Sequence, residues 1–356
     1  MDIRYDCRQF KGTMPCQPHK VHGVECNLKC KYYVPTDGNI LIIKLGAMGD
    51  VIRTTPLLIR MKKKFPNKRI YWLTDFPAVL PDLVDFPLTF SVEHLTYLQS
   101  LKFDMGINLD KESEACALLE QLDIKKKFGF GLHQGMPAPI SESANHKFLT
   151  GISDTYSKSN THHYMKEIFD ICDWEYNGEE YVLPSKKHNA NIDSLDDSKP
   201  IIGLNTGCGV RWPSRQWPFG HWQEIANMLL TSGLNVLLLG GSEEDEQNKK
   251  LAVETSATYL GFFPFNEFLS LVDTCAVVVS TVTMAMHVAI GLKKPLVLLN
   301  NIFNPNEFHF FTDSIILEPE KECECFYKPV CVNETSCIVD VTPDHVFEAI
   351  KSLSKQ

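Results

Sequence analysis

One segment near the front of the chain combines an apolar run, two glycines and an acidic residue. Residues 40–56 are Ile-Leu-Ile-Ile-Lys-Leu-Gly-Ala-Met-Gly-Asp-Val-Ile-Arg-Thr-Thr-Pro. The run 40–43 is typical of a buried parallel strand, and the glycines predict a turn before an amphipathic helix over 57–65. Asp50 would lie where open α/β sheets bind ligands, and a carboxylate there can take a proton from a hydroxyl group. The alternative is that Asp50 only caps a helix.

A second segment, residues 201–217, offers groups that suit a phosphate. The run 201–204 predicts another strand. A turn of small polar residues follows it, namely Asn205, Thr206, Gly207 and Gly209. Their hydroxyl and backbone N–H groups can donate to phosphate oxygens. Arg211 and Arg215 can add fixed positive charge, since a guanidinium group suits bidentate phosphate contacts.

Two more segments follow in order. Residues 236–244 are Val-Leu-Leu-Leu-Gly-Gly-Ser-Glu-Glu, and residues 280–297 are Ser-Thr-Val-Thr-Met-Ala-Met-His-Val-Ala-Ile-Gly-Leu-Lys-Lys-Pro-Leu-Val. Together, the four segments resemble the glycosyltransferase family that contains the lipopolysaccharide heptosyltransferases, family 9. The resemblance runs from about residue 40 to the C-terminus.

The resemblance implies a fold and a reaction. The fold is GT-B, an α/β architecture in which two Rossmann-like domains with parallel sheets face each other across a cleft. Members of the family move a sugar, usually heptose, from an ADP-sugar to an acceptor, with inversion and without a catalytic metal. The implied enzyme is a hexosyl- or heptosyl-transferring glycosyltransferase of lipopolysaccharide biosynthesis, with ADP-heptose as its donor.

The resemblance also implies roles for particular residues. Asp50 occupies the family's Gly-Asp position, where the aspartate is the proposed base. Arg215 is the nearest equivalent of the basic residue that contacts the donor diphosphate. Gly241 belongs to the third motif, and Glu243 matches a position that hydrogen-bonds the nucleoside. The alternative for Glu243 is an acid that complements a helix dipole.

The fourth motif keeps some family residues and changes others. Thr281, Thr283 and His287 remain on the donor side, with His287 interpreted as a brace for the loop rather than a proton carrier. Val282 stands where the family commonly has an aspartate that helps to hold the donor sugar, and Met284 stands where a glycine is expected. Valine cannot replace the charge of a carboxylate, so the change leaves room for a different sugar or a reduced activity.

Eight of the twelve cysteines lie near the two ends of the chain. The front group is Cys7, Cys16, Cys26 and Cys30, and the back group is Cys323, Cys325, Cys331 and Cys337. In a reducing compartment such groups favour metal sites over disulfides, and four thiolates can hold a structural zinc or iron ion. The alternatives are free thiols, or disulfides formed on oxidation. The back group resembles a C-terminal segment of related bacterial autotransporter heptosyltransferases, in which such cysteines hold iron.

Composition bounds the class of protein. A chain of 356 residues suits two domains, and 44% hydrophobic with 22% charged residues is typical of a soluble globular protein. No apolar run approaches the ~20 residues of a membrane helix, and no signal-peptide pattern opens the chain, so we expect a cytoplasmic protein. The net charge of −9 argues against general nucleic-acid binding.

Alternating strand-like and helix-like runs predict parallel, doubly wound sheets. The predicted organisation is a cysteine-rich N-terminal extension (1–36), a Rossmann-like acceptor domain (37–188), a polar linker (189–200), a Rossmann-like donor-nucleotide domain (201–342) and a C-terminal helix (343–356). The linker is assigned because asparagine, aspartate and serine recur there.

Two functional hypotheses follow from the sequence. The first is an inverting glycosyltransferase that uses a nucleotide-sugar donor and a lipopolysaccharide-type glycan or a protein as acceptor. The second is a GT-B-like nucleotide-binding or scaffold protein of reduced activity, with metal clusters at its ends. Peripheral membrane association and an oligomer are compatible with either hypothesis.

Overall fold

The computed structural model describes residues 2–185, 192, 195–209, 211–321 and 324–354. Five of the twelve residues of the predicted linker (189–200) lie outside these residues. Within them, no helix has both the length and the apolar character that crossing a membrane requires.

The described strands form two six-stranded sheets. They are β1 (Gly38–Ile43), β2 (Lys68–Leu73), β3 (Phe86–Leu88), β4 (Lys102–Asn108), β5 (Asp123–His133), β6 (Met136–Pro139), β7 (Ile201–Asn205), β8 (Asn235–Leu239), β9 (Thr258–Tyr259), β10 (Val277–Thr281), β11 (Leu296–Leu299) and β12 (Ser314–Leu317).

Helices alternate with these strands along most of the chain. They are α1 (Gln17–His22), α2 (Met48–Thr54), α3 (Pro56–Lys64), α4 (Val92–Gln99), α5 (Ser113–Gln121), α6 (Asn145–Ile152), α7 (Asp154–Lys158), α8 (Tyr164–Ile171), α9 (Phe219–Thr231), α10 (Asp245–Thr255), α11 (Phe265–Thr274), α12 (Met284–Gly291) and α13 (Pro343–Ser354).

The chain divides into two compact units by its contacts. Unit 1 comprises Met1–Gly46, Thr55–Phe148 and Ile168–Glu179, and unit 2 comprises Ala47–Thr54, Leu149–Glu167 and Glu180–Gln356. This division places α2, which carries Asp50, in unit 2, so it does not follow the domain boundary that the sequence suggests near residue 188. The domain limits drawn from the sequence stay a prediction.

The sheet of unit 1 has the strand order β3-β2-β1-β4-β5-β6. Its pairs are parallel except for the β5–β6 hairpin, which is antiparallel. The run from Ile40 to Ile43 is buried on both faces, as a central parallel strand requires. The order reverses between β1 and β4, which is where open α/β sheets form a ligand crevice.

The sheet of unit 2 has the order β12-β11-β10-β7-β8-β9, and all its pairs are parallel. Its core is built on β7, β8 and β10, with Trp217 and Trp222 packed edge-to-face at 4.7 Å. The helix α13 adds Ile350 to this core. Here the strand order reverses between β7 and β10.

Candidate active site

Asp50 lies in the first turn of α2 rather than at the tip of a loop. Its Oδ2 accepts a hydrogen bond of 3.3 Å from the backbone N–H of Ala47. This is the contact of a capping box, in which the acid at the third helical position accepts from the N–H of the residue before the helix. The side chain nevertheless stays 32% exposed. The capping alternative and a chemical role are therefore compatible at this residue.

Glycine is required at position 49 because another helix packs closely against it, not because the backbone turns there. A Cβ atom at this position would lie 2.5 Å from Cδ2 of His287, which is on α12. The predicted glycine turn at Gly49 is therefore wrong, because α2 already includes this residue. Glycine here lets α2 and α12 pack together.

The sequence did not single out Arg53, which contacts Asp50 directly. An Nη atom of Arg53 lies 2.7 Å from Oδ1 of Asp50, and another lies 3.9 Å from Oε2 of Glu307. The guanidinium also stacks 3.6 Å from the ring centroid of Tyr164. Burial alone would lower the pKa of Arg53, but Asp50 and other neighbours hold it above its usual value. Arg53 therefore stays charged and fixes one oxygen of Asp50.

His287 is buried on α12 beside this ion pair. Its Nδ1 lies 3.4 Å from the hydroxyl of Tyr181. Burial, together with the nearby charge of Arg53, lowers the pKa of His287 to about 3. The imidazole is therefore neutral at neutral pH, and it packs against α2 and hydrogen-bonds rather than carrying a proton.

The polar turn after β7 meets the end of β10, the neighbouring parallel strand. The Nδ2 of Asn205 donates to the Oγ atoms of Ser280 and Thr283 at 3.2 and 3.3 Å, and to the carbonyl of Gly207. Thr281 donates from its hydroxyl to the same Gly207 carbonyl at 3.2 Å. The side chains predicted on the donor side are thus brought together at the strand-order reversal of unit 2.

A second contact holds this turn from the side of β8. The hydroxyl of Thr206 donates to Oδ1 of Asn248 at 2.6 Å. The carboxylate of Glu244 accepts from the backbone N–H of Gly241 at 2.9 Å, and it fills the space that a side chain at Gly207 would need. Glu243, which the sequence singled out, is exposed. The structure thus places the neighbouring acid against the glycine turn.

Arg215 is a buried cation without a carboxylate partner among the described residues. It donates to the backbone carbonyls of Cys208, at 2.8 Å, and Val282. Its Nε is buried and has no hydrogen-bond partner in the described part of the chain. Burial lowers the pKa of Arg215 to about 10, so it remains protonated at neutral pH. Such a cation is prepared to take an anion.

The N-terminus of α12 lies beside Arg215. The carbonyl that Arg215 holds belongs to Val282, two residues before α12 begins at Met284. The residue that precedes the helix, Thr283, makes no capping hydrogen bond from its side chain. A helix N-terminus and a guanidinium together favour a phosphate group. The two remaining predicted donor residues, Arg211 and Gly209, are exposed, and Gly209 has a positive φ of 69°.

Unit 1 has a different charge arrangement at its own reversal. Lys44, at the end of β1, pairs with Asp110, after β4, and both side chains are buried. Lys44 also donates to the carbonyl of Gly46, and Asp110 accepts from the N–H of Leu45. Burial raises the pKa of Asp110, and Lys44 opposes that rise. Both side chains of this pair are buried, so Lys44 balances the charge of Asp110 and does not extend into solvent.

The front cysteines line the same cavity, of about 240 Å³, in the N-terminal extension. Cys7 is buried, and Cys16, Cys26 and Cys30 are half-buried. Within unit 1 the extension is attached to β2 by Arg69, which donates to the Cys7 carbonyl at 2.8 Å. No three His, Cys, Asp or Glu side chains of the described ranges are arranged to hold a metal ion. A metal at the front cysteines therefore stays a prediction.

The back cysteines lie in a segment that reaches the candidate site. Sγ of Cys325 is 3.3 Å from Sγ of Cys331, and Cys337 accepts from Asn301 at 3.6 Å. Cys323 lies outside the described residues. Tyr327 in this segment donates from its hydroxyl to Glu307, the residue beside Arg53. Iron at these cysteines stays a prediction too.

Comparisons with known proteins agree with this architecture. A family model described as glycosyltransferase family 9 (heptosyltransferase) matches residues 92–329. Lipopolysaccharide heptosyltransferase 2 of Escherichia coli (strain K12) is 26% identical over 184 residues, which are 48% of this chain and 51% of that protein. Lipooligosaccharide heptosyltransferase 2 of Haemophilus ducreyi (strain 35000HP) is 28% identical over 291 residues, covering 72% of this chain and 80% of that protein.

The chain spans about half the length of the first curated relatives that it matches, among them the Escherichia coli protein. Solved structures match more of it. A glycosyl transferase of family 9 from Veillonella parvula has a TM-score of 0.68 at 19% identity, covering 89% of this chain and 97% of that one. Escherichia coli heptosyltransferase WaaC, solved with ADP, has a TM-score of 0.62 at 16% identity, with coverages of 88% and 99%.

The iron-containing dodecameric glycosyltransferase TibC of enterotoxigenic Escherichia coli is also similar in fold. Its TM-score is 0.57 at 13% identity, with 90% of this chain and 77% of that one covered. At such identities the likeness concerns the fold alone. It confirms the α/β fold with two parallel, Rossmann-like sheets that the sequence predicted.

Proposed function

We propose that this chain, which belongs to glycosyltransferase family 9 (heptosyltransferase), transfers heptose from ADP-heptose to an acceptor hydroxyl with inversion. Asp50 is the general base in this proposal, and Arg215 with the N-terminus of α12 takes the charge of the departing diphosphate. The donor is proposed because the similar WaaC structure holds ADP. The acceptor is proposed to be a lipopolysaccharide-type glycan, as the names of the curated relatives suggest, with a protein as the alternative.

One observation supports the proposal most directly, namely that α12 serves both chemical groups. Arg215 binds the backbone just before the helix begins, and His287 packs against the Asp50 helix at Gly49. His287 lies three positions after Met284, which is slightly less than one helical turn, or roughly 5 Å along the axis. In this proposal, the base and the diphosphate site are both held by the same short helix of unit 2.

The proposed reaction balances as a single displacement. The acceptor oxygen forms a bond to the anomeric carbon on the face opposite the diphosphate, and the bond from that carbon to the phosphate oxygen breaks. The acceptor proton passes to a carboxylate oxygen of Asp50. The charge that develops on ADP is met by Arg215 and by the N–H groups at the start of α12.

A titration with nucleotides, followed by a turnover assay, tests this function. We expect ADP to bind at least about tenfold more tightly than UDP or GDP, and ADP-heptose with a glycan acceptor to release ADP. A preference for UDP or GDP would change the donor. A ligand at 100 times its Kd stabilises the protein by about 2.7 kcal/mol, which a thermal shift detects.

The scaffold hypothesis remains the second candidate, and Val282 is the observation that favours it. The residue contributes only its backbone carbonyl to the site, by accepting from Arg215. ADP binding without any transfer from ADP-heptose would support a nucleotide-binding scaffold.

The proposal also includes a cytoplasmic location, peripheral membrane association and an oligomer like that of dodecameric TibC.

A further inference from the structure

Arg53 is shared between two carboxylates, and only one of them belongs to the proposed base. One side of the guanidinium is 2.7 Å from Asp50, and the other is 3.9 Å from Glu307. The side chains of Arg53 and Glu307 are 15% and 9% exposed, so water screens this contact little. The charge of Arg53 is therefore divided between Asp50 and Glu307.

Glu307 is held in place by its own neighbours. The hydroxyl of Tyr327 donates to Oε1 of Glu307, leaving Oε2 on the side of Arg53. The short helix Pro305–Glu307 begins after Asn304, whose side-chain amide donates to the carbonyls of Ser157 and Asn160, both at 2.8 Å. These contacts fix the backbone and one oxygen of Glu307.

Tyr327 acts as a donor to Glu307 at any working pH. Burial and the adjacent carboxylate raise the pKa of Tyr327 well above its usual value. Its ring packs edge-to-face with Phe303 at 5.0 Å, so the hydroxyl can be removed while the aromatic contact remains.

The other groups that face Arg53 are two tyrosines and a buried histidine. Tyr164 stacks on the guanidinium at 3.6 Å. Tyr181 and His287 interact electrostatically with Arg53. His287 is neutral because burial lowers its pKa to about 3. Asp50 and Glu307 are thus the charged partners of Arg53 among the described residues.

We propose that Glu307 and Tyr327 are positioning residues that set the basicity and the orientation of Asp50 through Arg53. This inference rests on the proposed function of Asp50. The hydrogen bond from Tyr327 occupies one oxygen of Glu307. It thereby weakens the attraction of the other oxygen for Arg53, which competes with the attraction of Asp50. Glu307 in turn keeps Arg53 from neutralising Asp50 fully, so that Asp50 remains a useful proton acceptor.

The dependence of kcat and kcat/KM on pH tests the inference in two variants. In Glu307→Gln, Arg53 is left to Asp50 alone, so the acidic limb of the profile moves to lower pH by about half a unit or more, and kcat falls about threefold because the base is weaker. In Tyr327→Phe, Glu307 draws Arg53 more strongly, so the acidic limb moves to higher pH. KM for ADP-heptose should change less than about twofold in both.

Glu318→Gln is the control, because Glu318 is an exposed glutamate of unit 2 whose carboxylate accepts a hydrogen bond of 2.9 Å from Asn300. We expect its profile to coincide with the wild type. Losses of kcat in both variants with an unmoved acidic limb would assign Glu307 and Tyr327 a structural role only, and would overturn the inference while the proposed function stands. Absence of transfer by the wild-type chain would overturn both.

Discussion

The two strand-order reversals of this molecule have the same topology and opposite charge balance. At the reversal of unit 1, Lys44 and Asp110 are buried together as an ion pair. At the reversal of unit 2, Arg215 is buried with backbone carbonyls for partners and with no carboxylate of the described residues beside it. Both lie at the carboxyl ends of parallel strands, where the fold places ligand crevices.

The difference teaches that the strand topology provides a crevice where a ligand can bind. The balance of buried charges then determines whether binding an anion there is favourable. A buried pair satisfies itself, and removing either partner leaves an uncompensated charge. A buried cation that has only carbonyls for partners gains when an anion arrives. On this comparison, we propose that the reversal of unit 2 binds an anion and that the ion pair at the reversal of unit 1 has a structural role.

Breaking the ion pair of unit 1 should produce the largest effect. Asp110→Asn leaves the buried ammonium of Lys44 without its counter-charge, so we expect the free energy of unfolding to fall by about 3–5 kcal/mol, measured by urea denaturation. The control is Asp123→Asn, which breaks an exposed pair with Lys102 and should cost less than about 1 kcal/mol. Equal losses in the two variants would show that the buried pair stabilises unit 1 no more than an exposed pair does.

Removing the cation of unit 2 should affect binding more than stability. For Arg215→Met we expect ADP affinity to fall roughly 10- to 100-fold, as the loss of about 1.5–3 kcal/mol of charge-assisted hydrogen bonding implies. Arg211→Met is the matched comparison, since Arg211 is exposed and should lose less than about threefold. Calorimetric titration that gave equal ADP affinity for wild type and Arg215→Met would contradict the assignment of the anion site.

Acid should weaken unit 2 through two histidines, the buried His287 and the half-buried His163. The folded-state pKa of His287 is about 3 and that of His163 is lowered to about 4, in both cases chiefly by burial. Both lie below the unfolded value, so their stabilisation is complete above about pH 6.5 and declines as the pH falls, by up to about 1.4 kcal/mol per pH unit for each group.

Urea midpoints measured between pH 7.5 and 4.5 check this decline. His287→Gln should flatten the slope, whereas His345→Gln, which changes an exposed histidine on α13, should leave it unchanged. A slope that is the same with and without His287 would mean that its burial does not control acid sensitivity.

The smallest expected effect separates two adjacent acids at the edge of the anion site. Glu243→Ala should weaken ADP about fivefold and leave pyrophosphate binding unchanged, if the exposed Glu243 serves the nucleoside. Glu244→Ala should weaken both ligands, because Glu244 holds the N–H of Gly241 and packs against Gly207. Weakening of pyrophosphate by Glu243→Ala would reverse these two roles.

Local patterns in the sequence were enough for the strands and for most of the donor turn. The apolar runs at 40–43 and 201–204 became β1 and β7, since both are central strands whose residues are buried on two faces. Asn205, Thr281 and Thr283 converge because parallel strands end at the same edge of a sheet. These features depend on short-range pattern and on the rules of α/β topology.

Partners from distant parts of the chain could not be predicted in the same way. Nothing near Lys44 in the sequence points to Asp110, and nothing near Arg53 points to Glu307. The local sequence predicts a turn at Gly49. It gives no sign of the contact with His287, because that residue lies in a helix much further along the chain. Pairing of charges and close packing depend on the tertiary fold, which one sequence does not encode as a local signal.

The turnover number of Asp50→Asn is the measurement that tests the central claim most directly. The amide keeps the shape of the side chain and removes its ability to accept the acceptor proton. With ADP-heptose as donor, we expect kcat to fall by at least about 100-fold while the Kd for ADP changes less than about twofold. A kcat close to that of the wild-type chain would contradict Asp50 as the base.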